Sequence, residues 1–468
     1  MQQKITGEVK ISPATLNITQ KIKNVLAFKE KVEEFSGKSV TELSEIIFGG
    51  GIGLEASDLH IEPEKEQAKI RVRIDGLLQD VMIIDWKTYG NLLSRIKLIS
   101  GIKLNITDRP QDGRFSISTE PPTKIGGGAV AEASPHLPPR SASPSSVIEV
   151  RTSTLPAEYG ETIVLRILNP KTLVEIEALG LRKDLLETLG NEIKKPNGMI
   201  IVTGPTGSGK TTTLYAFLKK VHKPEIKIIT IEDPIEYRLE GVSQTQVNPK
   251  KGYDFASGLK SIMRQDPDVI LVGEIRDLET AEIALQAALT GHLVFTTLHT
   301  NDAAGTMARL TSLGAKPSNI GPAINMAIAQ RLVREICKKC GGLEKASASV
   351  LEKIKRGLKG IPSGIKIPKP KHITDYVLGK IVPGLKIPQV KGCKNCNFTG
   401  YRGRTGVFEA FLVDEEMEKF ILQNPSIAAL RKEAIRRGMV AMQQDGLIKV
   451  LNGITTIEEV ERITGPIK

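Results

Sequence analysis

The residues with the clearest chemical meaning are Gly204, Pro205, Thr206, Gly207, Ser208, Gly209, Lys210, Thr211 and Thr212. Gly204 and Gly209 bracket a short turn that runs into Lys and Thr, the pattern of a loop that cradles phosphate. The flanks agree with it. Residues 199–203 are a short apolar run that reads as a buried strand, and residues 211–222 read as a helix. A strand feeding a glycine-rich turn into a helix N-terminus aims several backbone N–H groups at one point, where an anion binds. Lys210 would add positive charge at the β- and γ-phosphates, and the Thr211 hydroxyl would hold Mg2+. The chain is therefore expected to bind a nucleoside triphosphate.

Transfer of the γ-phosphoryl group to water needs a base and a counter-charge. Residues 269–272 read as an apolar strand that runs into Gly273 and Glu274. This is the layout of a Walker B element with Gly at the usual Asp position, and Glu274 is the candidate base. Glu232, Asp233 and Glu236 crowd the end of a second strand, 226–231, and Glu232 is taken as a further catalytic acid. His299 follows a third strand, 293–297, and is assigned to contact or sense the γ-phosphate; His292 is read as structural. Open α/β sheets bind ligands at the carboxyl ends of their strands, which is where all these residues fall.

The four cysteines form two C-x-x-C pairs, Cys337 with Cys340 and Cys393 with Cys396. In a reducing compartment such pairs read as one structural four-thiolate zinc site, with reduced thiols as the alternative. The 52 residues between the pairs do not oppose this, because a metal closes any loop whose ends meet. The same region is basic: residues 336–404 carry 16 Lys/Arg against three acids, whereas the rest of the chain sums to −1. That charge suits nucleic acid, an anionic membrane surface or an acidic partner, or else a solvated lysine-rich loop. Aromatic residues are only 4% and do not interleave the basic stretch, which argues against base stacking and a nucleic-acid partner. No apolar run reaches the roughly 18 residues that span a bilayer, and residues 1–4 lack a signal-peptide core. A cytoplasmic location is expected.

The elements that must position these residues follow from periodicity. Ser39-x-x-Glu42 reads as a capping box opening a short helix to Ile47. Residues 68–84 alternate around Asp75-Gly76 as a hairpin, 89–100 have helical spacing, and 113–118, 147–152 and 161–168 read as strands. Residues 119–146 are rich in Pro, Gly, Ser and Ala and are expected to be a disordered insertion. Beyond them, strands at 199–203, 226–231, 269–272 and 293–297 alternate with helices at 211–222, 254–263 and 278–290, predicting a mostly parallel sheet covered on both faces. The end, 413–463, reads as helical. Two loosely similar segments, 359–368 and 380–388, read as extended arms.

Several of these blocks together resemble a known family. Residues 204–213, 230–237, 264–277 and 290–302 are similar to the Walker A, Asp, Walker B and His boxes of the type II secretion and type IV pilus assembly ATPases. The resemblance extends to Ala56–Pro63, to Arg109–Arg114, to the four cysteines and to Gly400–Gly406. It implies an α/β fold: a RecA-like P-loop motor domain with a mostly parallel sheet, preceded by a smaller α+β (PAS-like) domain and carrying a four-cysteine zinc lobe and C-terminal helices. The implied division is an N-terminal extension 1–38, a first domain 39–169 with the insertion 119–146, a linker 170–175, the ATPase core 176–335, the basic zinc lobe 336–406 and the helical region 407–468. The resemblance also implies ATP, Mg2+ and Zn2+, a homo-hexameric ring, and ATP held in a cleft between the first domain and the motor domain. Arg-x-Ser-Thr-x-Pro and Val-x-Arg-x-Leu of the family are matched at Arg151 and Arg166, which take the arginine-finger role.

The function so implied is a cytoplasmic motor ATPase, peripheral at the inner face of the membrane. It drives pilus or pseudopilus assembly through an inner-membrane platform protein. The cysteine pairs favour this branch over retraction motors, which lack them. The insertion 119–146 and the long basic stretch between the cysteine pairs depart from the family pattern. Only about 38 residues precede the first-domain helix, so the family's usual N-terminal docking and cyclic-dinucleotide contacts are not assumed. The rival readings are a nucleic-acid-stimulated or DNA-uptake-associated P-loop motor, and a scaffold that binds ATP without turnover; Glu274 opposes the second.

Overall fold

The computed structural model describes residues 7–118, 147–170, 173–362, 365 and 384–467. The expected insertion 119–146, Lys171 and Thr172 of the linker, and residues 363–364, 366–368 and 380–383 of the two arms lie outside them. The chain divides into two units: residues 1–172 with 392–399, and residues 173–391 with 400–468.

The first unit is built on a seven-stranded sheet. Its elements are β1 (Glu8–Lys10), α1 (Pro13–Thr19), α2 (Val25–Phe35), α3 (Val40–Gly53), β2 (Asp58–Pro63), β3 (Ala68–Ile74), β4 (Leu77–Ile84), α4 (Trp86–Ile99), β5 (Gln111–Ser118), β6 (Val147–Ala157) and β7 (Gly160–Leu168). The order is β1-β5-β6-β7-β2-β3-β4, antiparallel except for β1 against β5. The α+β expectation holds. The structure does not, however, separate residues 8–38 as an extension: β1 pairs with β5, and Ile22, Phe28 and Val32 are buried in the unit's core. Their apolar residues are sparse in a polar background, which hid the amphipathic helices.

Ser39 caps α3 as expected, accepting the Glu42 N–H at 3.2 Å. The helix then runs past Ile47 through Gly49, Gly50 and Gly51. Glycine usually weakens a helix, but here a Cβ at Gly50 would collide with the Phe28 ring. The glycines allow close packing, and that packing overrides propensity. Trp86 opens α4 edge-on to Tyr89, with centroids 5.4 Å apart, and the Tyr89 hydroxyl donates to the Glu161 carbonyl at 2.7 Å. Lys97 is buried beside Glu161, at 2.7 Å, tying α4 to β7.

The second unit carries α5 (Lys183–Glu192), β8 (Gly198–Thr203), α6 (Lys210–Val221), β9 (Ile228–Glu232), β10 (Ser243–Gln246), α7 (Phe255–Ile262), β11 (Val269–Val272), α8 (Leu278–Leu289), β12 (Leu293–Leu298), α9 (Gly305–Leu313), α10 (Pro317–Ala323) and β13 (Ile324–Ile336). They are followed by β14 (Gly341–Lys345), α11 (Ala348–Gly357), β15 (Lys386–Val390), β16 (Tyr401–Leu412), α12 (Glu415–Leu422), α13 (Ile427–Arg436), α14 (Met442–Leu451) and α15 (Ile457–Thr464). The main sheet has the order β10-β9-β11-β12-β8-β13-β16, and only β16 is antiparallel. Every residue of β8 is buried; Met199 and Ile201 enter one core cluster while Ile200 and Val202 enter the other. Continuous apolar strands with helices on both faces are what a parallel sheet requires.

The edge of this sheet departs from the expectation. Residues 401–412 form β16 rather than the end of a zinc lobe followed by helix, with Val407 and Phe411 on one face and Phe408 on the other. The helical C-terminal region begins only at Glu415.

Candidate nucleotide site and cysteine cluster

The parallel register brings the candidate residues to one sheet edge. Thr203 pairs with Leu298, and Val272 pairs with both Thr296 and Ile231. Gly204, Glu274 and His299 therefore all emerge within two residues of a common line. Gly209 caps α6 with φ +87°, and a Cβ at Gly204 would lie 2.6 Å from the Gln330 carbonyl oxygen. Only glycine fits either place. Pro205, Thr206 and Gly207 form the exposed crest of the loop. Ser208 Oγ is buried inside it without a hydrogen-bond partner. Lys210 Nζ donates back to the carbonyls of Gly204 and Pro205, at 2.8 and 3.2 Å. Burial lowers the Lys210 pKa, with Arg331 acting the same way and Glu274 and Glu236 opposing. The first turn of α6 carries Thr211 and Thr212, both half-buried.

Glu274 is 13% exposed and lies 3.3 Å from His299 Nε2. Its other oxygen pairs with Arg276, which also reaches Asp233 at 3.8 Å. A Cβ at Gly273 would come within 3.2 Å of the Ile231 carbonyl oxygen and 3.3 Å of Glu232 Cα, a tight fit for any side chain. The Thr297 hydroxyl donates to the Gly273 carbonyl at 2.7 Å, locking β12 against the start of this turn.

Glu232 has a different setting from the one expected. It is 4% exposed, and its carboxylate accepts hydrogen bonds from Tyr215 on α6, from Thr230 at 2.6 Å and from Gln244 at 3.1 Å. Burial raises its pKa against these donors. As the last residue of a buried strand it points into the core under α6. Glu236, four residues on, is the acid of this segment whose charge acts on Lys210. Arg276 and Arg331 were not singled out from the sequence, and Glu236 was named among the acids at this strand end without a role; their position becomes visible only once the strand ends are aligned.

In the first unit, Arg151 and Arg166 occupy paired positions of β6 and β7. The row continues to Arg114 on one side and to Asp58 and Arg73 on the other. Asp58 is nearly buried and accepts from Arg166 Nε at 3.1 Å, with Arg73 Nε at 3.4 Å from its other oxygen. Directly opposed like charges are costly in a sheet, so a row of four arginines with one internal acid suits an anionic counterpart.

The two cysteine pairs are brought together by strand pairing. Ile336 pairs with Tyr401, and Gly341 pairs with Val390, so the segments between them converge. The four Sγ atoms of Cys337, Cys340, Cys393 and Cys396 lie within 4.8 Å of one another, and Cys393 and Cys396 are 3.8 Å apart. Four thiolates at about 2.3 Å around a tetrahedral centre stand about 3.8 Å apart, so the donor set fits zinc. None of the four is in a disulfide. Among the described residues no helix is long and apolar enough to cross a membrane.

This fold and this sheet edge define a P-loop nucleotide hydrolase with a mostly parallel motor sheet. Comparison makes the class specific. The family described as Type II/IV secretion system protein matches residues 33–125 and 142–462. The chain is 42% identical over 413 residues to the Type II secretion system protein E of Dickeya dadantii, covering 88% of this chain and 72% of that protein. It is 40% identical over 439 residues to the Type II secretion system ATPase E of Vibrio cholerae, covering 93% and 77%. It is 37% identical over 428 residues to the Type IV pilus assembly ATPase PilB of Myxococcus xanthus, covering 91% and 68%. Among solved structures, the pilus retraction motor PilT with bound ADP superposes with a TM-score of 0.54 at 25% identity, over 89% of this chain and 96% of that one. The Legionella pneumophila ATPase DotB shares the fold, with a TM-score of 0.59 at 21% identity, over 90% and 94%. The chain belongs to the Type II/IV secretion system protein family and is a secretion or pilus assembly motor ATPase.

Proposed function

We propose that this ATPase works as a cytoplasmic homo-hexamer, peripheral at the inner face of the membrane, and drives pilus or pseudopilus assembly through an inner-membrane platform protein. The observation that carries the catalytic reading is the placing of Glu274 and His299, 3.3 Å apart, at the edge where the phosphate loop leaves β8. ATP lies with its β- and γ-phosphates against the N–H groups of residues 206–212 and the Lys210 ammonium. The Thr211 hydroxyl would hold Mg2+, which would supply charge to neutralise the phosphate oxygens. Glu274 takes a proton from water as the water oxygen bonds to the γ-phosphorus and the bond to the bridging oxygen breaks. His299 and Glu236 face the γ-phosphate side, Glu232 supports β9 from beneath, and Arg151 and Arg166 supply counter-charge. The cysteines hold one structural zinc.

The test is steady-state phosphate release beside equilibrium nucleotide binding. Glu274→Gln keeps shape and removes the base: it binds ATP with Mg2+ normally while hydrolysis falls by roughly two orders of magnitude or more. Lys210→Ala instead loses binding or phosphate positioning. Undiminished turnover in Glu274→Gln rejects it as the base. Mass photometry with ATP reads the ring. Stimulation of turnover by the cytoplasmic part of a platform protein, and none by DNA, supports the assembly role over a nucleic-acid motor.

A further inference from the structure

The turn that follows β12 is held from three sides. Thr300 N–H donates to Thr203 Oγ1, at 2.8 Å, on the last residue before the phosphate loop. Arg331 donates to the Asn301 carbonyl at 2.9 Å. Ala303 N–H donates to Glu409 Oε1 at 3.0 Å. Glu409 stands in the middle of β16 and is 1% exposed. Its second oxygen accepts the N–H of Met442, the first residue of α14, at 3.1 Å. Arg431 of α13 approaches both Glu409, at 3.9 Å, and Asp302, at 3.7 Å.

A buried carboxylate is costly, and a neighbouring strand position such as Phe408 or Phe411 is filled by an apolar residue. At position 409 an apolar residue would orphan two buried N–H groups, one in the His299 turn and one at the start of α14. We infer that Glu409 is a positioning residue for His299: it fixes the 299–303 turn to the N-terminus of α14, so that the C-terminal helices set where the histidine stands against Glu274. Contact between the turn and a γ-phosphate is passed along the same bonds to α13 and α14. The inference rests on the reading of His299 as a γ-phosphate contact.

The test is a double-mutant cycle of Glu409→Gln with His299→Ala, read as kcat and nucleotide affinity on folded protein. Gln keeps the volume but offers one acceptor where two are used. Glu409→Gln is expected to lower kcat roughly tenfold to a hundredfold with nucleotide affinity within about twofold. In the His299→Ala background it lowers kcat no further, because the two act through one another. A purely structural role lowers kcat by the same factor in both backgrounds, and that result overturns the inference, as does unchanged kcat in Glu409→Gln. Should Glu409→Gln not fold, Glu409→Asp, which keeps the charge and shortens the reach, goes through the same cycle with the same two readings. Wild-type turnover in His299→Ala overturns the underlying reading of the histidine, whereas a loss there beside an unaffected Glu409→Gln overturns the positioning role alone.

Discussion

Arg151 stands directly opposite Arg166 across the β6–β7 ladder, with Arg114 opposite Arg151 on the other side. Asp58 serves one end of this row, through Arg166 and Arg73, and Glu149 lies 3.7 Å from Arg114 at the other.

The row makes a prediction that separates its members. Arg151→Ala slows turnover by roughly 10³-fold or more if it acts as an arginine finger. Arg166→Ala slows turnover and also destabilises, because nearly buried Asp58 then loses one of its guanidinium partners and keeps Arg73 and the Ser57 hydroxyl. Phosphate release and thermal melts of both variants are the measurement. Full activity in Arg151→Ala would end its assignment.

Glu232 and Glu236 are separable by pH. Burial raises the Glu232 pKa, with like charge from Glu236 adding to it. The folded protein then keeps a proton that the unfolded chain releases, so this group's contribution is full below the ordinary carboxylate range and is lost as pH rises through the raised folded value. Glu232→Gln removes that downward slope, since Gln can still accept from Thr230 and Gln244 and donate to Tyr215. Its turnover falls far less than that of Glu236→Gln. Denaturant melts across the acid-to-neutral range test the slope, and equal kinetic losses in the two variants would return Glu232 to the catalytic set.

Zinc removal has a local consequence. With the thiols within 4.8 Å of one another, purified protein is expected to carry about one zinc per chain, and chelation unfolds the 337–396 region because binding and local folding are coupled. Metal analysis with thiol titration in native buffer reads this. Well under half an equivalent of metal with freely titrating thiols would remove zinc from the account.

Residues 119–146 are expected to be dispensable for turnover. Ser118 at the end of β5 pairs with Val147 at the start of β6, so the two ends already stand opposite each other. A two-residue Asn-Gly turn can join them. The replacement protein should hydrolyse ATP at the wild-type rate and keep Arg151 in register. Lost hydrolysis in a folded, oligomeric replacement would show that the segment belongs to the site.

The phosphate loop and the cysteine pairs were legible as patterns because each is written in local spacing, and Glu274 and His299 were placed together because both follow apolar strand runs. The four central strands were legible because burial on both faces makes them continuous apolar runs. β13 was not: Ala, Met, Gln, Leu and Arg dominate its sequence and favour helix, and only its place between β8 and β16 makes it a strand. The N-terminal helices were missed because their few apolar residues, such as Phe28 and Val32, gain meaning only against α3 and the sheet. The buried setting of Glu232 was not legible because its residue type and strand-end position fit a catalytic acid equally well. Which way the carboxylate turns is decided by Tyr215 and Gln244, distant in sequence.

Trp86 is the chain's single tryptophan, and it belongs to the first unit. Red-edge excited emission of the whole protein is thus a built-in reporter of one unit and blind to the other. Because the indole lies edge-on to Tyr89, whose hydroxyl is anchored to β7, its spectrum shifts when α4 leaves the sheet. Circular dichroism averages both units, so the gap between an emission melt and a dichroism melt measures, without any label, how independently the arginine-bearing unit and the motor unit unfold.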